Sequence, residues 1–276
     1  MLRDVPGHPT RWIRHEILGC PVDALTQADA LTAINDFVAQ GHPHHIVTVN
    51  PEYVMLAHRD SAFLQVLQSA DMATADGAGL LLAARVLGFR LPQRVTGNDI
   101  VAGVARCAAV RGWRLFLLGA APGVARAAAV TLQTYYPSLV IAGTMSGSPA
   151  ANDVLHIVEQ VTTVRPDVLL VAFGAPRQDL WIAAHKQALG VPVAIGVGGA
   201  FDFLAGVQRR APLLLQQAGL EWAYRLWREP YRWRRMLALP AFLAHVLRER
   251  TQGKRWVPTK VLRWRWVGTR RENTRR

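Results

Sequence analysis

Short apolar runs alternate along this chain with segments of helical periodicity, and that alternation limits the possible folds more than any other feature of the sequence. The runs are rich in β-branched residues, as strands are when helices cover both faces of a parallel sheet. The helical segments supply the crossovers that parallel strands require. The predicted strands are IVTVN (46–50), DMATAD (71–76), RLFLLG (114–119), LVIAG (139–143), DVLLVAFG (167–174) and VPVAIGVG (191–198).

The pattern predicts two units. Residues 1–215 are expected to form an α/β body, a Rossmann-like, doubly wound and mostly parallel sheet. Past Leu220 the strand signals give way to helix-like stretches broken by prolines, so residues 216–276 are expected to form a helical, basic C-terminal appendage. The helical patterns of the body are VMLAHRDSAFLQVLQSA, GLLLAARVLG, IVAGVARCAAVRG, GVARAAAVTLQTYY and QDLWIAAHKQALG.

The positive charge of the chain is concentrated in this tail. Residues 221–276 hold 16 Lys and Arg against 4 Asp and Glu, which is +12 of the formal net charge of +13, and six of the nine tryptophans. Each basic residue near an anionic leaflet contributes about 1 kcal/mol to membrane binding, and tryptophan favours the headgroup region. The tail therefore predicts attachment to an anionic membrane surface. An Arg- and Trp-rich tail also suits phosphates and stacked bases, so nucleic-acid binding is the main alternative.

The rest of the composition indicates a cytoplasmic protein that lies on a membrane without crossing it. Two distant cysteines, Cys20 and Cys107, favour reduced thiols over a disulfide framework. The N-terminus lacks an apolar signal-peptide core, and the longest apolar stretch, 236–247, is shorter than the roughly 20 residues a spanning helix needs.

Several polar residues fall where predicted strands end, the edge at which open parallel sheets bind ligands. Thr48 and Asn50 close the first strand, and Asp76 closes the second, followed by Gly77 and Gly79. Each also has a structural interpretation. Asp-Gly favours turns, and Asn50 before proline is typical of a helix N-cap.

The later strand ends carry the same ambiguity. The loop LGAAPGVA leads into a helix whose N–H groups suit a phosphate, or it is simply a tight turn. Gln178 and Asp202 lie at the same edge, either as ligand contacts or as a solvated residue and a helix cap.

Other site chemistries find little support. No G-x-G-x-x-G loop, G-x-S-x-G elbow or Ser-His-Asp order occurs, which disfavours a dinucleotide-dependent oxidoreductase and a hydrolase. The spacing of His42, His44 and His45 fits no zinc pattern, so no metal is expected there.

Eight motifs follow one another along the chain: TVNPEYVMLAHRD, DMATADGAGLLLAARVLG, LPQRVTGNDI, FLLGAAPGVA, FGAPRQDLWI, GVGGAFDFLAG, RRAP and GLEWAYRLWREPYRWRR. Their order resembles the WecG/TagA/CpsF family of bacterial glycosyltransferases from about Gly19 to Arg235. The resemblance implies inverting transfer from a UDP-sugar to a polyprenyl-diphosphate-linked saccharide in surface or exopolysaccharide synthesis. N-acetylmannosamine-type, glucose and glucuronic acid donors all stay open.

The resemblance also implies roles for individual residues. Asp76 matches the proposed general base, with Thr48, Asn50 and Arg94 as further catalytic residues. The residues assigned to the nucleotide sugar are Gly119, Gln178, Gly199 and Asp202. The residues of the appendage assigned to the diphosphate or the membrane are Arg225, Arg228, Arg232 and Arg235.

The sequence contains no D-x-D motif, with which many sugar transferases hold a divalent cation. We therefore expect metal-independent transfer without a cofactor, in which arginines and helix N-terminal amides stabilise the leaving diphosphate. Retention of the carboxylate at position 76 argues against a third alternative, an inactive membrane scaffold.

Overall fold

A computed structural model describes residues 11–208, 211–212, 214–215, 221–228, 238–252 and 260–263. Six parallel strands form the central sheet in the order β4-β3-β8-β7-β5-β6. All six predicted strands are confirmed, with ends shifted by a few residues. They are β3 (His44–Val49), β4 (Met72–Ala75), β5 (Arg114–Gly119), β6 (Val140–Met145), β7 (Val168–Ala172) and β8 (Val193–Gly196).

Helices cover both faces of the sheet, which confirms the doubly wound α/β fold. Alternate strand side chains join different cores, since successive residues of a strand point to opposite faces. On β7, Leu170 packs with α1, α5, α6 and α9, whereas Leu169 packs with α7 and α8. The helices are α1 (Gln27–Gln40), α2 (Pro51–Ala57), α3 (Ser61–Ser69), α4 (Ala78–Leu87), α5 (Gly97–Arg111), α6 (Val124–Tyr135), α7 (Ala151–Val164), α8 (Arg177–Leu189) and α9 (Ala200–Leu204).

The helical pattern predicted over residues 54–70 forms two helices rather than one. Asp60 separates the two helices because it is the N-cap of α3. Its side chain accepts hydrogen bonds from the backbone N–H groups of Ala62 and Phe63. Ahead of these helices, β1 (Arg11–Ile17) and β2 (Cys20–Asp23) form an antiparallel pair that the sequence analysis did not predict.

The tail packs onto the body more closely than its composition suggests. It contains α10 (Glu221–Arg228), α11 (Ala238–Thr251) and β9 (Lys260–Arg263). β9 pairs antiparallel with β1, so the expectation that strand structure ends after Leu220 was wrong. α11 packs on α2 and α4, with Phe242 and Val246 fully buried among their side chains. Within the described parts of the chain, no helix is long and apolar enough to cross a membrane.

Candidate active site

A cleft of about 330 Å³ opens at the carboxyl ends of β3, β4, β7 and β8, the edge predicted from the sequence. Six of the eight predicted site residues of the body line it: Thr48, Asn50, Asp76, Gln178, Gly199 and Asp202. The cleft is also lined by Glu52, Tyr53, Gly97, Asn98, Ala172, Phe173, Gly174, Ala175, Val197, Gly198, Ala200, Phe203 and Gln208.

Asp76 lies directly after β4, between two elements of the cleft. Its backbone N–H donates to the carbonyl oxygen of Val49 at 2.7 Å, which joins the ends of β3 and β4. Its Oδ2 accepts from the N–H of Gly97, the first residue of α5, at 3.2 Å. A carboxylate at this position is stabilised by the partial positive charge of the helix N-terminus. Gly77 adopts φ 119°, a conformation that side-chain-bearing residues rarely take, so the chain can turn sharply after the carboxylate.

The polar side chains after β3 have structural partners as well as a place in the cleft. The Thr48 hydroxyl donates to the carbonyl oxygen of Gly196 at 3.1 Å and joins β3 to β8. Asn50 is the N-cap of α2, and its Oδ1 accepts from the N–H of Tyr53 at 2.9 Å. The structural interpretation of Asn50 is therefore confirmed, and its side chain remains half-buried at the cleft wall.

Gln178 is buried in the wall of the cleft, which contradicts its interpretation as a solvated residue. Its Oε1 accepts from the N–H groups of Gly174 and Gly198 at 3.2 and 3.0 Å, and its Nε2 donates to the Tyr53 hydroxyl at 2.8 Å. The Tyr53 hydroxyl in turn donates to Oδ2 of Asp179 at 2.6 Å. Tyr53 and Asp179 are absent from the predicted site, because an isolated tyrosine and an acidic helix start give no signal of their own.

Burial strengthens the preference of this tyrosine for its protonated form. Removal from water raises the pKa of the Tyr53 phenol well above its ordinary value, and the nearby Asp179 carboxylate raises it further. The hydroxyl therefore keeps its proton at neutral pH and acts as a hydrogen-bond donor to Asp179.

Two of the predicted body residues do not line the cleft. Gly119 ends β5 with φ 101°, and a Cβ there would lie 2.8 Å from the backbone of Ala172, so close strand packing accounts for this glycine. Arg94 is half-buried in the loop before α5, next to Val95, whose N–H donates to the carbonyl oxygen of Ala75. Arg94 thus lies in the loop between α4 and α5, whose backbone contacts the end of β4.

The arginines predicted in the appendage fall on or beyond α10. Arg225 and Arg228 belong to that helix, whereas Arg232 and Arg235 lie outside the described residues. On the same helix Trp227 is mostly exposed, at 74 % of its surface.

The cleft carries an acidic lining. Glu52, Asp76 and Asp202 contribute carboxylates, and among the lining residues that the structure describes there is no lysine or arginine. Across the described ranges of the chain, no group of three or more His, Cys, Asp and Glu side chains is arranged to hold a metal ion. His44 and His45 are instead buried within β3, away from the cleft lining.

The arrangement suits chemistry on a polyhydroxylated ligand. Carboxylate and amide side chains line the cleft together with the glycine-rich segments that follow β7 and β8, where backbone and ligand can approach closely. A carboxylate that lines a cleft, as that of Asp76 does, can accept a proton from a bound hydroxyl.

Comparison with known proteins points to one group of enzymes. A family model described as "Glycosyl transferase WecG/TagA/CpsF family" matches residues 15–256. A Bacillus subtilis (strain 168) protein is 34% identical over 213 residues, covering 77% of this chain and 82% of its own. A Staphylococcus aureus (strain MW2) protein is 30% identical over 242 residues, covering 87% and 94%. Both carry the name N-acetylglucosaminyldiphosphoundecaprenol N-acetyl-beta-D-mannosaminyltransferase.

Proposed function

Because this chain belongs to the WecG/TagA/CpsF family of glycosyl transferases, we propose that it moves an N-acetylmannosamine-type sugar from a UDP-sugar to a polyprenyl-diphosphate-linked N-acetylglucosamine. The transfer inverts the anomeric centre and serves the synthesis of a bacterial surface polymer or exopolysaccharide. The observation that carries the proposal is the shared name of relatives that match this chain over most of both sequences.

Asp76 is the general base of this reaction. Its Oδ2 is held by the N–H of Gly97, and its place at the end of β4 brings the carboxylate to the cleft. An inverting transfer needs a base that takes the proton of the acceptor hydroxyl as its oxygen attacks the anomeric carbon, while UDP leaves from the opposite face. Removing such a base costs typically a factor of 10² to 10⁴ in rate.

The leaving diphosphate needs positive charge from outside the acidic lining. Arg94, in the loop beside β4, and the arginines of the appendage are the residues we assign to it, together with helix N-terminal amides. Transfer is then independent of a divalent cation, as the missing D-x-D motif suggests.

The acidic lining favours a neutral sugar. The carboxylates of Glu52, Asp76 and Asp202 suit hydrogen bonds to hydroxyl and acetamido groups, whereas a glucuronic acid donor would bring a further negative charge into the same cleft. Among the donors left open by the sequence, we therefore place the N-acetylmannosamine type first, glucose second and glucuronic acid last.

The test is UDP release by the full chain with each UDP-sugar, a polyprenyl-diphosphate-N-acetylglucosamine analogue and EDTA. We expect turnover with a neutral N-acetylated donor, dependent on the acceptor and unaffected by EDTA. Asp76→Asn should lower kcat by roughly 10² to 10⁴, and Glu159→Gln, on an exposed face of α7, should not change it. Turnover that disappears in EDTA and returns with Mg²⁺ would refute metal independence, and full activity in Asp76→Asn would refute the base.

We place the enzyme on the cytoplasmic face of the plasma membrane, where its lipid-linked acceptor is presented. The net charge of +12 on residues 221–276 and the exposed Trp227 support attachment to anionic lipid. Paired substitutions test this. Arg225→Gln with Arg228→Gln should weaken binding to phosphatidylglycerol vesicles, while the matched loss of two exposed charges from α5 and α6, Arg106→Gln with Arg126→Gln, should not.

A comparison of vesicle binding with binding to DNA, at matched charge density and the same salt concentration, distinguishes a membrane-binding tail from a nucleic-acid-binding one. Vesicle binding that exceeds DNA binding supports the membrane, since both targets offer anionic phosphate but only the vesicle offers an apolar interface for tryptophan. Equal loss of vesicle binding in the two paired variants would refute a specific role of α10.

A further inference from the structure

A chain of buried polar side chains lies at the wall of the cleft and connects β3, α2 and α8. It starts at His45 on β3, whose Nε2 lies 3.3 Å from Oδ1 of Asp179 on α8. It passes through the Tyr53 hydroxyl on α2 and the Gln178 amide, and ends on the N–H groups of the loops after β7 and β8. Tyr53 is 3 % exposed, Gln178 and His45 are each 1 % exposed, and Asp179 is 0 % exposed.

The donor and acceptor chemistry fixes the direction of the hydrogen bonds between Tyr53, Asp179 and the Gln178 amide. Gly174 and Gly198 offer only N–H groups, so the amide of Gln178 must present its oxygen to them and its NH₂ group to Tyr53. The Tyr53 oxygen then accepts from Gln178, and its single proton goes to Asp179. If the amide were reversed, its NH₂ group would face the N–H groups of Gly174 and Gly198, donor against donor. Each buried group left unsatisfied in this way would cost about 1–3 kcal/mol.

The space for this network is created by a glycine in the sheet. A Cβ at Gly196, the last residue of β8, would lie 2.7 Å from Nε2 of Gln178 and would also overlap the Asp179 carboxylate. The neighbouring strand β3 is bonded to β8 at the same residue, since the Thr48 hydroxyl donates a hydrogen bond to the Gly196 carbonyl oxygen. The buried network therefore packs directly against the strand that leads into the cleft.

The two glycines captured by Gln178 lie in the cleft wall. Gly174 follows β7 with φ 77°, and Gly198 follows β8 with φ 55°, both in the left-handed region. Both residues line the cleft. One amide oxygen thus fixes the spacing between the two loops on which a bound ligand would rest. It reaches back 4 residues to Gly174 and forward 20 residues to Gly198.

We propose that Tyr53 and Asp179 are positioning residues for the transfer: they hold Gln178 in the one amide orientation that clamps the β7–α8 and β8–α9 loops around the donor. The reaction in this statement rests on the proposed function. Neither residue touches the reacting atoms in this account. Loss of the Tyr53 hydroxyl removes one of the three hydrogen bonds that hold the Gln178 amide, so its hold on the two glycine N–H groups weakens.

The first measurement needs no substrate. In protein labelled with ¹⁵N-glycine, Tyr53→Phe should raise the hydrogen-exchange rate of the Gly174 and Gly198 amides by roughly tenfold, as expected for the loss of a hydrogen bond that holds them closed. The exchange rate of Gly97, held by Asp76, should stay unchanged. Tyr136→Phe, which removes the same hydroxyl from the end of α6 remote from the cleft, is the control and should change none of them. Unchanged exchange at Gly174 and Gly198 in Tyr53→Phe would overturn the clamp.

The second measurement is kinetic and uses Asp179→Asn as an independent variant. Each single variant should lower kcat/KM by roughly 10- to 100-fold, because displacements of about 1 Å in a positioned site cost that much. The kcat/KM of the double variant should be no lower than that of the less active single variant, since both substitutions act through Gln178. Multiplicative losses, or full activity with raised glycine exchange, would overturn the positioning role. Wild-type protein that transfers no sugar would refute the reaction instead, and the exchange rates would still decide the clamp.

Discussion

Replacement of Phe242 by alanine tests whether α11 is part of the body. The phenyl ring is fully buried between α2 and α4, although it lies in the segment 216–276 that composition marks as an appendage. Substitutions of a buried phenylalanine by alanine cost about 3–5 kcal/mol, from lost transfer free energy and the cavity left behind. In a chain of this size each kcal/mol corresponds to roughly 2–4 °C, so Tm should fall by roughly 6–20 °C.

The assay is thermal unfolding followed by circular dichroism, with urea unfolding to give the free energy. Leu247, five residues further along α11, is 55 % exposed and supplies the matched control. Leu247→Ala should change the free energy of unfolding by no more than about 0.5 kcal/mol. Equal Tm values for the two variants would refute the packing of α11. The same reasoning predicts that a chain ending at residue 215 loses both Phe242 and Val246 from its core and unfolds at a lower temperature than the full chain.

Three further predictions concern titratable groups. Burial raises the pKa of the Cys20 thiol to about 12, so iodoacetamide at pH 8 should modify the half-buried Cys107 and spare Cys20, as peptide mass spectrometry would reveal; equal labelling would contradict this. Hydrogen bonds from Ser148 lower the pKa of Asp153, so Ser148→Ala should move that pKa upward in an NMR titration. Burial lowers the pKa of His15 below its ordinary 6.5, so the folded state binds fewer protons and stability should fall as pH drops from about 6.5 through the lowered value. His15→Gln should flatten this part of a urea-unfolding pH profile, and an unchanged slope would contradict the assignment.

The fold was predictable from the sequence because its signals are local. A strand that helices cover on both faces appears as one apolar run, as β7 with its five buried residues does. The antiparallel β1 mixes charged and apolar residues over Arg11–Ile17 and gives no such run. The division between α2 and α3 depends on the capping side chain of Asp60, a single residue within an otherwise helical pattern.

The candidate site was predictable only in part, for the same reason. Asp76 and Asn50 are visible because they follow predicted strands directly. The partnership of Gln178 with Tyr53 joins residues 125 apart in sequence, and that of Tyr53 with Asp179 joins residues 126 apart. Only the folded chain brings these groups into contact, so no local pattern marks Tyr53 as part of the site.

The late position of α11 in the sequence has a consequence for the order of events during synthesis. Arg250 on this helix donates a hydrogen bond to the carbonyl oxygen of Val86 at the end of α4, 164 residues earlier in the chain. Contacts of such long sequence separation form late, because the loop that joins them must close first. The apolar faces of α2 and α4 leave the ribosome long before the helix that covers them, and during that interval they are open to chaperones or to aggregation. This surface of α2 and α4 thus stays uncovered until α11 has been synthesised.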